Sequence, residues 1–311
     1  MAPIIDVEAA DDPRVRHYTG LREATLRRNP EVDGGIFIAE SPLVVRRAVA
    51  AGYKPVSFLL TPHWVEELAD VWSAGDAPVY RVSSRLAESI TGFHVHRGAL
   101  AALRRTERWR LADLLAVDRL VVAEDLVDHA NVGAIARSAA GLGWDGLLVS
   151  ADSADPLYRR SVKTSMGAVL TLPWVRTPPA WDGPAALKQA GFLVAALAPR
   201  PGALSLDALR RICADRRFEE LAQRPVLDAP LREDSDQTTQ PNCHRASQSV
   251  KLALFCGSEG PGLSEATLAA ADVIVGIPMA RSTDSLNVAA AVAIACYALG
   301  PAGQTETAIC P

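Results

Sequence analysis

The chain has 311 residues, with 32 lysines and arginines against 36 aspartates and glutamates, and 49% of its residues are hydrophobic. That length suits two compact domains with sizeable cores, and a charged fraction of 22% with a mean hydropathy of +0.10 excludes a wholly disordered chain. No apolar run approaches the roughly 18–20 residues of a membrane span, and the start lacks a basic stretch followed by an apolar signal core, so a soluble, cytoplasmic protein is expected. The five cysteines are scattered with no Cys-x-x-Cys pair, which argues against a disulfide framework or a structural zinc. His94 and His96 form a His-x-His with no second ligand cluster, so no metal is expected.

In chain order, the first hundred residues read as a small α/β unit. Residues 21–28 are a short basic helical stretch, 36–40 a strand, and Ser41-Pro42 starts a helix over 43–51. Residues 55–60 form a second strand, 63–69 a helix, 79–82 a third strand and 84–89 a helical turn. The polar, arginine-rich stretch 97–116 reads as a connection, with a domain boundary near 110. The expected division is thus residues 1–110 and 111–311.

Beyond it the alternation sharpens. Strands are expected over 119–123, 147–149, 192–197, 252–256 and 273–277, with helices over 132–142, after Ser264 and after Asn287. Apolar strands separated by helices and glycine-containing loops indicate a parallel sheet covered on both faces. The last helix, 287–299, is nearly all Ala, Val and Ile and must be buried in the core or against a partner chain. Residues 206–250 stand apart as an insertion: the first half is charged and could be helical, and the second has almost nothing to bury and reads as a disordered loop.

Three clusters sit at carboxyl ends of expected strands, where open α/β sheets bind ligands. The first runs from Glu124 through Asn131 and Gly133 to Arg137, with Asn131 read as a helix cap and Gly133 as close packing of helix on strand. Its spacing to Asp152 faintly mimics a dinucleotide-binding unit, but one glycine stands where that fingerprint wants three. The second, Gly257-Ser258-Glu259-Gly260-Pro-Gly262-Leu263, lets backbone N–H groups approach a ligand and lacks the Gly-Lys ending of a phosphate loop. The third carries Ile277-Pro278-Met279 and then Ser285-Leu286-Asn287, two cap-forming residues at a helix start. Two basic clusters complete the picture: Arg97, Arg104, Arg105, Arg108 and Arg110, opposed only by Glu107, and Arg159-Arg160 with Lys163.

Taken together and in order, Asn-x-Gly-x-x-x-Arg, Gly-Ser-Glu-Gly-x-Gly-Leu and Ile-Pro-Met with Ser-Leu-Asn resemble the motifs of the SpoU/TrmH family of RNA 2′-O-ribose methyltransferases, within the SPOUT superfamily. The resemblance covers about 119–300; Ser165-Met166-Gly167 resembles the family's connecting segment, and the first hundred residues its L30e-like auxiliary RNA-binding domain. It implies an α/β sheet with a C-terminal deep trefoil knot, S-adenosyl-L-methionine as cofactor, rRNA or tRNA as partner, and a homodimer that covers the apolar final helix. By position, the resemblance assigns Arg137, Asn131, Glu259, Ser285 and Asn287 to catalysis. Gly257, Ser258, Gly260, Ile277, Met279 and Leu286 would hold the cofactor, and Arg97, Arg104, Arg105, Arg108, Arg159 and Arg160 would contact RNA. Arg281 stands where the family often has glycine.

The chemistry is consistent with those roles. Methyl transfer is an in-line displacement whose first requirement is positioning. Arginine is a poor base, its pKa lying above about 12, so Arg137 reads as a clamp stabilising the developing alkoxide. The proton acceptor, a phosphate or a transiently deprotonated arginine, stays open. The competing readings are a non-catalytic RNA-binding protein of the same fold and, on the Gly133 to Asp152 spacing alone, a nicotinamide-dependent oxidoreductase.

Overall fold

Two sheets organise the chain in a computed structural model that describes residues 2–21, 35–94, 98–215, 250–280 and 285–301. The helical reading from residue 22 to 28, Arg97, the half of the insertion beyond residue 215 and Arg281 lie outside the described residues. One compact unit comprises Met1–Arg108, Asp128–Arg137 and Ala154–Leu172, and the other Trp109–Val127, Ser138–Ser153 and Pro173–Pro311.

The first unit is built on β1 (Ile4–Asp6), β2 (Ile36–Glu40), β3 (Pro55–Leu60), β4 (Val79–Arg81) and β5 (Ala99–Arg104), in the order β1-β4-β3-β5-β2. Helices α1 (Pro42–Ala50), α2 (Pro62–Glu67), α3 (Ala69–Trp72) and α4 (Ser84–Thr91) connect them. The β1-β4-β3 pairs are parallel and β5 runs antiparallel to both β3 and β2. Part of the arginine-rich stretch 97–116 is therefore a strand rather than a connection. Ala99, Ala101 and Ala102 are fully buried; β5 lies between two other strands, and small side chains leave no alternation to read. Tyr18, in a 3-10 turn over Pro13–Tyr18, crosses this core. Its hydroxyl donates to the Ser57 carbonyl at 2.8 Å and accepts from the Ala102 N–H at 3.1 Å, and burial pushes its pKa well up.

Among the described residues the second unit holds seven strands, all parallel: β6 (Arg119–Ala123), β7 (Gly146–Val149), β8 (Trp174–Arg176), β9 (Leu193–Leu197), β10 (Leu204–Ser205), β11 (Leu252–Cys256) and β12 (Val273–Gly276). Their order is β10-β12-β9-β11-β6-β7-β8. Helices α5 (Leu111–Leu114), α6 (His129–Gly141), α7 (Arg159–Thr164), α8 (Gly183–Gln189), α9 (Leu206–Asp215), α10 (Glu265–Ala270) and α11 (Val288–Ala298) complete the chain, with α7 and the first nine residues of α6 in the first unit. Buried on both faces, β6 after its first residue Arg119, β7 and β11 are continuous apolar runs, as is usual in parallel sheets. Leu120, Val122, Leu148, Val194, Ala253 and Phe255 form the core.

The insertion reading at 206–250 needs correction at its start. Residues Leu204–Ser205 pair with β12, and α9 buries Leu209 completely, so 206–215 belongs to the folded unit. Its polar face made it look expendable, whereas one apolar stripe suffices to dock a helix. On α11, Val288, Ala289, Val292, Ala295 and Cys296 are buried, and Ile294 and Tyr297 on the same helix are exposed, Tyr297 by 73%.

Candidate active site

Chain direction reverses side at β6, with β7 and β8 to one flank and β11, β9, β12 and β10 to the other. The crevice at the carboxyl ends of such strands is where ligands bind in open α/β sheets. Two loops meet there in the second unit. The 257–263 loop leaves β11 and folds on itself: Ser258 and Gly262 form an isolated bridge, and the Gly262 N–H donates to the Ser258 carbonyl at 3.0 Å. A Cβ on Gly257 would lie 2.2 Å from the Gly262 carbonyl carbon, so only glycine permits the closure. Gly260 and Gly262 adopt φ of 93° and 74° and have nothing within 4 Å of where a Cβ would be. The loop therefore exposes backbone on its open side.

A residue given no role from sequence anchors the far end of this loop. Glu124, just past β6, accepts from the Ser264 N–H at 2.7 Å and from the Thr267 hydroxyl at 2.5 Å, while its own N–H donates to the Cys256 carbonyl at 2.9 Å. Ser264 caps α10 through the Thr267 N–H. Burial, reinforced by the nearby Glu124 charge, pushes the Cys256 thiol up to about 12. That thiol is a packing group. The signal for Glu124 lay in its place at a strand end, which the sequence shows but cannot connect to Ser264.

The second loop follows β12. Ile277 and Met279 are half-buried, and Ser285, Leu286 and Asn287 are exposed. Asn287 caps α11, its side-chain oxygen accepting from the Ala289 and Ala290 N–H groups at 3.0 and 3.2 Å. Its amide nitrogen donates to Glu259 Oε1 at 2.5 Å. One side chain thus starts a helix and clasps the two loops. The Glu259 carboxylate binds a side chain here.

Asn131 and Arg137 lie on α6 in the first unit. The cap of α6 is Asp128, whose carboxylate accepts from the Ala130 N–H at 2.7 Å, so Asn131 stands inside the helix and the cap reading is corrected. Gly133 packs against another helix rather than a strand: a Cβ there would fall 2.4 Å from the Ser161 carbonyl oxygen of α7. Arg137 is exposed. The structure brings Glu259 and Asn287 into contact, and sets Asn131 and Arg137 six residues apart on one helix.

The basic residues divide. Arg104, Arg108 and Arg160 are exposed; Arg108 also covers the Tyr53 ring at 4.8 Å and donates to the Leu170 carbonyl at 3.3 Å. Arg105 pairs with Asp155 and donates to the Ile36 carbonyl at 2.7 Å. Arg159 is buried, with Nη1 2.5 Å from Glu40 Oε2 and its guanidinium 4.4 Å from the Phe93 ring. Arg105 and Arg159 are thus engaged by partners inside the fold, as a buried charge such as that of Arg159 requires. Among the described residues no group of three or more His, Cys, Asp or Glu side chains is placed to hold a metal.

Residues 118–297 match the SpoU rRNA Methylase family. Over 298 residues the chain is 37% identical to an uncharacterized tRNA/rRNA methyltransferase from Mycobacterium tuberculosis, spanning 94% of this chain and 90% of that one. It is 25% identical over 209 residues to the 23S rRNA (guanosine-2′-O-)-methyltransferase RlmB of Escherichia coli, covering 65% of this chain and 70% of the relative. The AdoMet-bound rRNA methyltransferase from Sinorhizobium meliloti has the same fold, with a TM-score of 0.70 over 95% of this chain and 97% of that one at 21% identity. The class is an α/β RNA methyltransferase with a parallel sheet. Within that class, the chain belongs to the SpoU rRNA methylase family.

Proposed function

We propose that the protein transfers a methyl group from S-adenosyl-L-methionine to the ribose 2′-hydroxyl of a nucleotide in rRNA or tRNA. The observation that carries this reading is the Glu259–Asn287 clasp between the two motif loops at the strand ends. The self-closed 257–263 loop suits the cofactor's polar portion, because Ser258, Gly260 and Gly262 offer backbone on an open side. Ile277, Met279 and Leu286 offer apolar surface for the adenosine, and the exposed Glu259 complements a cation. When bound, the cofactor supplies an electrophilic sulfonium methyl.

The chain's own residues position the acceptor. Arg137, an exposed cation on α6, stabilises charge developing on the 2′-oxygen. Asn131 and Ser285 orient the ribose by hydrogen bonding, and Asn287 is held in place by Glu259. Residues 1–110 act as the auxiliary RNA-binding part and 111–311 as the methyltransferase part, although 128–137 and 154–172 of the latter pack into the first compact unit, with Arg104, Arg108 and Arg160 contacting phosphates. The name of the similar 23S rRNA 2′-O-methyltransferase supports the ribose as acceptor. A knotted C-terminal path belongs to this reading, and the exposed Ile294 and Tyr297 support a homodimer through α11. A cytoplasmic location fits an RNA substrate.

The test is incubation with tritiated methyl donor and rRNA or tRNA, followed by alkaline hydrolysis. A 2′-O-methyl group blocks cleavage at its own nucleotide, so label in alkali-stable dinucleotides supports the reading. Label on a free base-modified nucleotide overturns ribose as the acceptor. RNA binding without cofactor binding supports the non-catalytic alternative. Gly257→Ala should weaken S-adenosylhomocysteine binding at least tenfold by calorimetry, because the loop cannot close around a Cβ.

A further inference from the structure

We infer that Glu40, at the end of β2, is a positioning residue for the methyl-transfer site: it fixes α7, and α7 fixes the part of α6 that carries Asn131 and Arg137. The inference rests on the reaction proposed above. Glu40 is 6% exposed, an unusual place for a carboxylate, and each of its oxygens has its own cation. Oε2 receives Arg159 Nη1 at 2.5 Å and Oε1 receives Lys163 Nζ at 2.6 Å. Residues 159 and 163 are one helical turn apart on one face, so a single carboxylate between them fixes both the rotation and the height of α7. Arg159 Nη2 also donates to the Leu21 carbonyl at 3.0 Å. A second tether enters at the other end, where Asp155 pairs with Arg105 and its carbonyl accepts from the Ser161 hydroxyl at 2.9 Å.

From α7 the contact passes directly to α6. The approach of Gly133 to the Ser161 carbonyl brings backbone against backbone, and no flexible side chain stands between to absorb a shift. At the start of both helices the His129 and Tyr158 rings lie 4.1 Å apart. Arg137 follows Gly133 by about one turn, so a displacement of α7 moves the guanidinium with it. The backbone beside Glu40 carries an independent mark. Ser41 has φ 93° and ψ 148°, a conformation nearly confined to glycine. Such strain persists where surrounding structure over-determines it, and it clusters at functional positions. Here it joins the strand end that bears Glu40 to the helix α1.

The experiment compares wild type with Glu40→Gln, Glu40→Asp and Lys163→Met, reading kcat, the RNA KM, the S-adenosylmethionine Kd and hydrogen exchange over residues 129–141. Lys163 is about half exposed, so Lys163→Met keeps the test valid if the buried variant fails to fold. Glu40→Gln should lower kcat by about 10- to 100-fold, the cost of misplacing a reacting group by about 1 Å. The cofactor Kd should stay within about twofold, exchange in α6 should accelerate, and Glu40→Asp and Lys163→Met should fall between. Folded variants with wild-type kcat, or with unchanged exchange in α6, overturn the role of Glu40. A wild type that transfers no methyl to RNA overturns the reaction itself and the role with it.

Discussion

Ser41 and Cys256 show how far one residue's environment departs from its type. A serine at φ 93° carries strain of about 1–3 kcal/mol, and glycine would add only about 0.5–1 kcal/mol of unfolded-state entropy. Ser41→Gly should therefore stabilise the protein by about 1 kcal/mol, seen as a higher urea midpoint at unchanged slope; a lower midpoint would show that the backbone is not strained. The Cys256 thiol, held at about 12 by burial, and Cys296, raised further by the same cause, stay protonated at neutral and mildly alkaline pH. Because the folded state disfavours the thiolate, stability is unaffected below the ordinary thiol range near 8.5 and falls as pH rises through it, where only the unfolded chain ionises. Native protein at pH 8 should take up no iodoacetamide at either position, and denatured protein should take it up at both, as read by mass spectrometry.

The helices are governed at their ends. Asp128 and Asn131 are both capping residue types three positions apart, and the sequence alone favoured the wrong one. The choice falls to Asp128 because its carboxylate reaches the Ala130 N–H, while Asn131 is already one turn inside. Asp128→Ala should cost about 1 kcal/mol in thermal or urea unfolding, and Asn131→Ala should reduce turnover. The strands 36–40, 55–60, 119–123 and 252–256 were legible to the residue, since each is a short, largely apolar run that the fold buries along most of its length. The strand Ala99–Arg104 was not, because alanine has no strand preference and arginines flank it. Helix α9 was half hidden for the opposite reason: its charged face outweighed the stripe that Leu209 buries.

On the scale of the whole molecule, charge is an unreliable guide to partners. Of the arginines expected to meet RNA, Arg105 and Arg159 hold the fold together, while Arg104, Arg108 and Arg160 are exposed. The triple change of Arg104, Arg108 and Arg160 to alanine should weaken RNA binding and reduce the slope of log K against log salt by about 0.7–0.9 for each phosphate no longer neutralised. An unchanged slope in filter binding across a salt series would remove these residues from the interface.

The order of apolar strands and helices, the three motifs and hence the family were written in the amino-acid sequence, because hydrophobic period and glycine placement are local properties of the chain. So were Glu259 and Asn287 as candidates. Their contact, the anchoring of the glycine loop by Glu124, and the burial of Glu40 between Arg159 and Lys163 join residues 28 to 143 positions apart. A carboxylate at a strand end reads the same whether it meets water or two cations. Only the folded chain, by choosing which distant segments share one small volume, decides which it meets.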